Sequence, residues 1–275
     1  MELLVGLTSR HSDLLPSRSR NRVVRRNHDG SASVQCAMTI LDALPAMLDR
    51  GTFALSRAPF DDAAHYGRLL AAAPTSRRCP VLLADHALGS LQPGWEPGMA
   101  LARVPRCDVA TVFAERYPGG CVFHPDCLAP FGAAFPGLAP PTAGAVLVRP
   151  DEVVAAAVEE AELLDEQMLA LVAVSRPADV PAAVGWVGAG EEWDAATVSA
   201  VLRSWEDRFG AVLVRMGRAT LELAVAAPPW ERSECLAIAA EHYAFCDDTY
   251  RGNPGTLRDY ANLLRGSTRW SFWWD

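Results

Sequence analysis

The sequence lacks lysine: of its 275 residues, 25 are basic and all of these are arginine. Alanine, proline and glycine are abundant, a composition typical of a GC-rich bacterial genome, so a single arginine says little about function. The formal net charge is −8. An acidic folded body repels nucleic acid, which argues against nucleic acid as its partner.

Long apolar runs are also missing. No stretch approaches the roughly 18 apolar residues of a membrane-spanning helix, and residues 1–6 lack the basic start of a signal peptide. Seven cysteines form an odd, irregularly spaced set in a chain too long for a disulfide scaffold, which favours reduced thiols. We therefore predict a cytoplasmic protein that does not enter membranes.

Motifs of common enzyme classes are missing as well. Residues 185–190 are rich in glycine but have neither the spacing nor the lysine of a phosphate-binding loop. No Gly-x-Ser-x-Gly nucleophile elbow and no His-Glu-x-x-His zinc pair occurs. The sequence predicts no cofactor and does not indicate an oligomeric state.

The N-terminal part divides into two predicted regions. Five arginines in residues 18–26 favour a disordered basic arm over residues 1–30, with contact to nucleic acid or anionic lipid as the alternative. Residues 31–144 form a predicted αβ region, with helices over 31–50, 61–73 and 108–117 and a buried strand over 79–85. The Gly/Pro-rich residues 118–144 connect it to the remainder.

Residues 145–275 are predicted to form a second αβ domain. The expected strands are 145–148, 169–175, 211–216, 220–226 and 269–275, and the expected helices are 151–166, 197–209, 231–245 and 256–264. Because a hairpin interrupts the alternation of strands and helices, we predict an α+β fold. Its sheets are expected to be mixed or antiparallel with flanking helices, in two packed αβ halves.

The C-terminal strand is unusually aromatic. Alternation of side chains along a strand places Trp270, Phe272 and Trp274 on one face and Trp273 on the other. Each large aromatic side chain can bury about 150–250 Å². We therefore expect this strand to lie inside the sheet with both faces covered.

Residues 169–275 contain a series of motifs rich in large side chains. These are residues 175–183, Gly185-Trp186, residues 205–211, residues 240–246, Gly255-Thr256-Leu257, Tyr260-Ala261, Trp270 and residues 272–275. The series resembles DUF4253, a bacterial family of unassigned function. The resemblance implies little chemistry, and members are similar to small intracellular interaction or immunity proteins. The chain departs from the family pattern after Cys246. The family has a proline between this cysteine and the aspartate, whereas here Asp247 follows Cys246 directly.

The best candidate site is the predicted helix over residues 231–245. Cys235, His242 and Cys246 lie at positions i, i+7 and i+11, within about 40° of one another on a helix. His242 and Cys246 are one turn apart, which suits a metal or a thiolate–imidazole pair, and Glu241 could add an oxygen ligand or a base. The same stripe also fits a core face, in which cysteine packs as a small hydrophobe. Packing is the favoured interpretation.

Two further groups invite interpretation. Cys121, His124 and Cys127 are spaced like half of a zinc site, but no second pair follows them, so an ordinary loop is favoured. Trp205 is expected in the core, with Arg208 on the solvent side, where it could hold a carboxylate such as that of Asp275.

The sequence therefore supports two functions. The first is a non-enzymatic, intracellular protein-binding module, similar to an immunity protein or a regulator. The alternative is an enzyme or metal-binding protein with a site around Cys235, His242 and Cys246, with Glu241 as a further catalytic candidate.

Overall fold

A computed structural model describes residues 47–49, 51–84, 86–92, 95–117, 126–142, 149–162, 166–191, 193–248 and 255–274. The predicted basic arm, most of the predicted helix over 31–50 and the predicted strand over 145–148 lie outside these residues. So do Cys121, His124 and Asp275.

The described strands form one mixed sheet in the order β1-β2-β4-β3-β5-β6-β7. They are Met47–Asp49 (β1), Phe53–Pro59 (β2), Cys79–Leu83 (β3), Met168–Val172 (β4), Ala211–Met216 (β5), Thr220–Val225 (β6) and Arg269–Trp273 (β7). Neighbouring strands are antiparallel except β3 and β5, which are parallel. A mixed sheet with helices beside it confirms the predicted α+β fold.

The two predicted αβ regions share this sheet. β4, from the region 145–275, lies between β2 and β3, from the region 31–144. Leu171 of β4 pairs with Ala54 on one side and with Pro80 on the other. The predicted domain boundary near residue 144 stays a prediction. Strands from before and after it are hydrogen-bonded to one another within the same sheet.

Capping residues mark the ends of several of the described helices. They are Ala63–Ser76 (α1), Pro97–Arg103 (α2), Val109–Arg116 (α3), Pro150–Glu162 (α4), Val180–Val184 (α5), Ala195–Phe209 (α6), Arg232–Phe245 (α7) and Leu257–Leu264 (α8). Asp108 caps α3 by accepting from the amides of Ala110 and Thr111. Gly210 ends α6 in the left-handed conformation, which glycine adopts without steric cost. No described helix is both long and apolar enough to cross a membrane.

Helices cover both faces of the sheet. Alternation along β3 sends Val81 and Leu83 to the larger core and Leu82 to the smaller one. The larger core is completed mainly by α2, α3 and α5 to α8, and the smaller one by α1 and α4. The larger core contains Trp270 and Phe272 of the aromatic strand together with the fully buried Trp205, as predicted.

The aromatic C-terminal strand is buried as predicted, but its position in the sheet is corrected. Trp270 and Phe272 are each only 1% exposed, whereas Trp273 is partly exposed. Among the described strands, β7 pairs with β6 alone and forms one edge of the sheet. Its pattern buries one face, since Ser271 and Trp273 alternate with the buried rings.

Side chains occupy part of the outer edge of β7. The Ser267 hydroxyl donates to the carbonyl of Arg269 at 2.7 Å and accepts from its amide at 3.4 Å. The Cys246 thiol donates to the carbonyl of Trp273 at 2.9 Å. Edge groups bonded in this way are not open to pairing with another strand.

One predicted helix is wrong where it can be checked. Residues 47–49, at the end of the predicted helix over 31–50, form β1 and pair with β2. The apolar spacing of this segment fits a helix, but Pro45, two residues before the strand, disfavours helix continuation. Pairing with a neighbouring strand then decides the local structure.

Candidate functional site

His242 lies inside an aromatic enclosure. It is on α7 and only 1% exposed. Its Nδ1 lies 3.0 Å from the Tyr260 hydroxyl. Its ring meets those of Trp205, Trp270 and Phe272 edge-on at centroid distances of 5.0, 4.6 and 4.8 Å. Such edge-to-face contacts add to the stabilisation from burial itself.

The surroundings of His242 keep it neutral. Burial, and second the nearby Arg208 cation, lower the pKa of His242 to about 3. Its Nε2 has no hydrogen-bond partner among the described residues. A neutral imidazole enclosed by rings has no access to a substrate, which supports the packing interpretation of this residue.

Glu241, the neighbour of His242, holds together three parts of the fold. It is completely buried, and its two oxygens accept from Arg208 Nη1 at 2.7 Å and Nη2 at 2.6 Å. They also accept from Trp205 Nε1 at 2.7 Å and from the amide of Ala139 at 2.6 Å. The carboxylate therefore connects α7 to α6 and to the loop over residues 136–142.

The predicted solvent-facing position of Arg208 is wrong. Its side chain is only 12% exposed, and it bonds additionally to Ser204 and to the carbonyl of Ala139. The carboxylate that it holds belongs to Glu241. Arg269, on β7, pairs with Glu160, and Asp275 lies outside the described residues.

The two cysteines of the candidate site have separate surroundings. Cys246 is the C-terminal cap of α7, with φ −153° rather than a helical value, and its thiol donates to Trp273. Cys235 is buried, and burial raises the pKa of its thiol. Among the described residues no group of three His, Cys, Asp or Glu side chains could hold a metal ion. The structure therefore does not combine Cys235, His242 and Cys246 in one metal site.

The second cysteine group is only partly described. Cys127 is disulfide-bonded, whereas Cys79, Cys107, Cys235 and Cys246 are free thiols. The prediction of reduced thiols is therefore wrong for Cys127. Spacing alone could not predict this, because a disulfide depends on which residues the fold brings together.

An open pocket of about 820 Å³ lies at one end of the sheet, on the side of the larger core. We call it the sheet-end pocket, and its lining residues are Leu55, Leu83, Ala84, His86, Leu88, Gly89, Glu166, Met168 and Arg218. It lies where the parallel strands β3 and β5 both end, a position at which open sheets commonly bind ligands. Its volume is typical of ligand pockets, which measure about 300–1,000 Å³.

The polar residues of the sheet-end pocket follow from strand register. Leu83, at the end of β3, pairs with Met168 on one side and Met216 on the other. Glu166 comes two residues before Met168, and Arg218 comes two residues after Met216. The two charged residues therefore stand on opposite sides of the β3 end.

Local backbone geometry shapes this pocket. His86 has φ +62°, a conformation that is strained for residues other than glycine and is enriched at functional sites. At Gly217, a Cβ would lie 2.1 Å from Thr220 Oγ1, so a larger residue in the turn before Arg218 would require the Thr220 side chain to move. The sequence did not predict this pocket, because it indicates where both strands end but not that β3 and β5 are neighbours.

No curated protein and no solved structure matches the chain. A family model, however, matches the segment that contains both Glu241 with His242 and the Arg218 side of the sheet-end pocket. Residues 168–275 match DUF4253, a domain of unknown function, as their tryptophan-rich motifs predict.

Proposed function

We propose that the protein is a cytoplasmic, non-enzymatic protein-binding module, similar to an immunity protein or a regulator, and that it holds a segment of its partner in the sheet-end pocket. The observation that carries this proposal is the pocket itself. It is open, it combines apolar with charged lining residues, and it is separate from the enclosed His242.

The apolar lining suits a partner side chain. Leu55 and Leu83 are buried and Met168 is partly buried, so they form a firm apolar interior. Leu88, at the same pocket, is 45% exposed. Apolar side chains that enter well-packed pockets contribute much of the affinity in protein interfaces.

The alternative, an enzyme or metal protein centred on Cys235, His242 and Cys246, receives less support. A substrate that reached His242 would have to displace Trp205, Trp270 or Phe272 from close ring contacts. Replacing such contacts exposes large apolar surfaces to water, which is unfavourable by several kcal/mol. His242 and Glu241 are better explained by the cohesion of the core.

Site-directed photo-crosslinking in bacterial cells tests the proposal. A photoreactive amino acid at Leu88 should form one discrete protein adduct. The matched control is Leu263, which is also an exposed leucine (55%) but does not line the pocket. Adducts at Leu263 alone, equal adducts at both sites or no adduct at either would contradict the proposal.

Purified components then provide the quantitative test. Leu88→Asp should weaken binding of the purified crosslinked partner by at least about tenfold, because a charge would enter an apolar contact. Leu263→Asp should leave the Kd within about twofold, a difference below about 0.5 kcal/mol. Isothermal titration calorimetry measures both, and equal effects of the two substitutions would locate the interface elsewhere.

A further inference from the structure

We infer that the sheet-end pocket selects its peptide by charge at both ends: Glu166 binds a cationic group, Arg218 binds a carboxylate, and an apolar side chain lies between them. The inference rests on the proposed function in assuming that the occupant is a peptide. It adds the chemistry that the occupant must carry.

The first support is the free state of the two charges. Neither Glu166 nor Arg218 has a hydrogen bond or an ion pair among the described residues. They line the same pocket without pairing with each other. Four arginines that are less exposed than Arg218 are each paired with a carboxylate, in the pairs Arg176–Asp207, Arg203–Asp179, Arg208–Glu241 and Arg215–Glu222. The pocket therefore offers one unused charge of each sign.

The second support is their separation. Glu166 precedes β4 and Arg218 follows β5, with β3 between these strands. Adjacent strands lie about 4.8 Å apart, so the backbones at the two residues are separated by on the order of 10 Å. An extended peptide spans about 3.3–3.6 Å per residue, so about three residues bridge this distance.

The third support is the surface between the charges. Leu55, Leu83 and Met168 lie in the same pocket, and Leu83 and Met168 are register partners at the strand ends. A central apolar side chain placed on them is removed from water while both ends meet opposite charges. Charge pairs of this kind mainly determine specificity and orientation.

The tripeptide Gly-Leu-Gly, with free termini, is the simplest probe, since its amine and carboxylate flank one leucine. We expect saturable binding to the full-length protein in a calorimetric or NMR titration. Acetylation of the amine and amidation of the carboxylate should each weaken binding by about fivefold, as expected for the loss of one partly exposed ion pair.

Variants of the protein assign each charge. In Glu166→Gln, acetylation of the probe should no longer change the affinity, whereas amidation still should. In Arg218→Gln, amidation of the probe should no longer change the affinity, whereas acetylation still should. Glu115→Gln changes an exposed glutamate on α3, outside the pocket-lining residues, and should retain both responses. Thermal melting of each variant verifies that the fold is intact.

A second set of probes distinguishes a chain terminus from an internal segment. Lys-Leu-Glu and Glu-Leu-Lys with both termini blocked carry the two charges on side chains. Stronger binding of either one than of Gly-Leu-Gly would indicate an internal segment. The reverse order would indicate free termini.

The possible failures are distinguishable. If every probe fails to bind at millimolar concentration, or if blocking either charge has no effect, the charge selection is overturned, while a protein adduct at Leu88 still supports the proposed function. If Gly-Leu-Gly binds with the expected selectivity but no protein depends on Leu88, the pocket is a site for short peptides and the proposed protein partner is overturned.

Discussion

Two parts of this molecule each contain an arginine and a glutamate, in opposite states. Arg208 and Glu241 form the enclosed cluster. Arg218 and Glu166 belong to the sheet-end pocket. In the enclosed cluster Glu241 binds four donors, whereas Glu166 binds none among the described residues. Residue type therefore does not distinguish a structural group from a binding group, but the partners that the fold supplies do.

The enclosed cluster illustrates what complete pairing requires. Removing two charges from water is unfavourable, and their attraction offsets this only when geometry and further hydrogen bonds are good. Here Glu241 and Arg208 meet through two parallel bonds, and Trp205 and Ala139 supply the remaining donors. This pairing fixes α6, α7 and the loop at residues 136–142 relative to one another.

The largest expected effect comes from breaking the enclosed cluster. Glu241→Ala should destabilise the protein by about 3–5 kcal/mol, because it leaves the Arg208 cation buried without a partner. Urea unfolding measures this loss as a lower midpoint at unchanged slope. The matched control is Glu160→Ala, which breaks an exposed pair with Arg269 and should change stability by less than about 1 kcal/mol. Similar effects of the two substitutions would show that the enclosure of Glu241 is unimportant.

An intermediate effect is expected from acid. The folded-state pKa of His242 is lowered to about 3, whereas an unfolded histidine has a pKa near 6.5. Below about pH 6.5 the unfolded chain therefore binds a proton that the folded protein does not, and stability falls as the pH decreases towards 3. The contribution of this residue amounts to a loss of about 2 kcal/mol between pH 7 and pH 5.

The variant His242→Gln isolates this contribution from that of other titrating groups. Glutamine cannot take up the proton, and its amide can still bond to Tyr260. The difference in unfolding free energy between the two proteins should therefore change by about 2 kcal/mol across this pH range. A constant difference would mean that His242 is accessible to protons in the folded state, as a catalytic residue would be.

The sequence predicted local features of the fold better than relations between distant residues. Asp108 and Gly210 mark the ends of α3 and α6, because caps act on neighbouring backbone groups. The Arg208–Glu241 pair joins residues 33 positions apart, and no spacing rule connects them. For the same reason the sequence did not predict the sheet-end pocket, which forms because β3 and β5 are adjacent.

The aromatic strand was correctly predicted to be buried, but it does not lie in the interior of the described sheet. Large rings at alternate positions predicted burial, and Trp270 with Phe272 confirms it. Burial of one face, however, does not require a strand on each side, since helices can cover that face. In the described sheet β7 is an edge strand, whose outer edge is protected in part by Ser267 and Cys246.

The smallest expected effect on the stability of the protein comes from replacing the two charged residues of the sheet-end pocket. Glu166→Gln and Arg218→Gln should each change the free energy of unfolding by less than about 0.5 kcal/mol, because both side chains are exposed and have no partner to lose among the described residues. Arg208→Gln, the same substitution in the enclosed cluster, should instead destabilise by about 3 kcal/mol or more. Urea midpoints for the three variants test the contrast directly. A loss above 1 kcal/mol in either pocket variant would mean that its charge stabilises the fold, and the charge would then no longer be available to select a peptide.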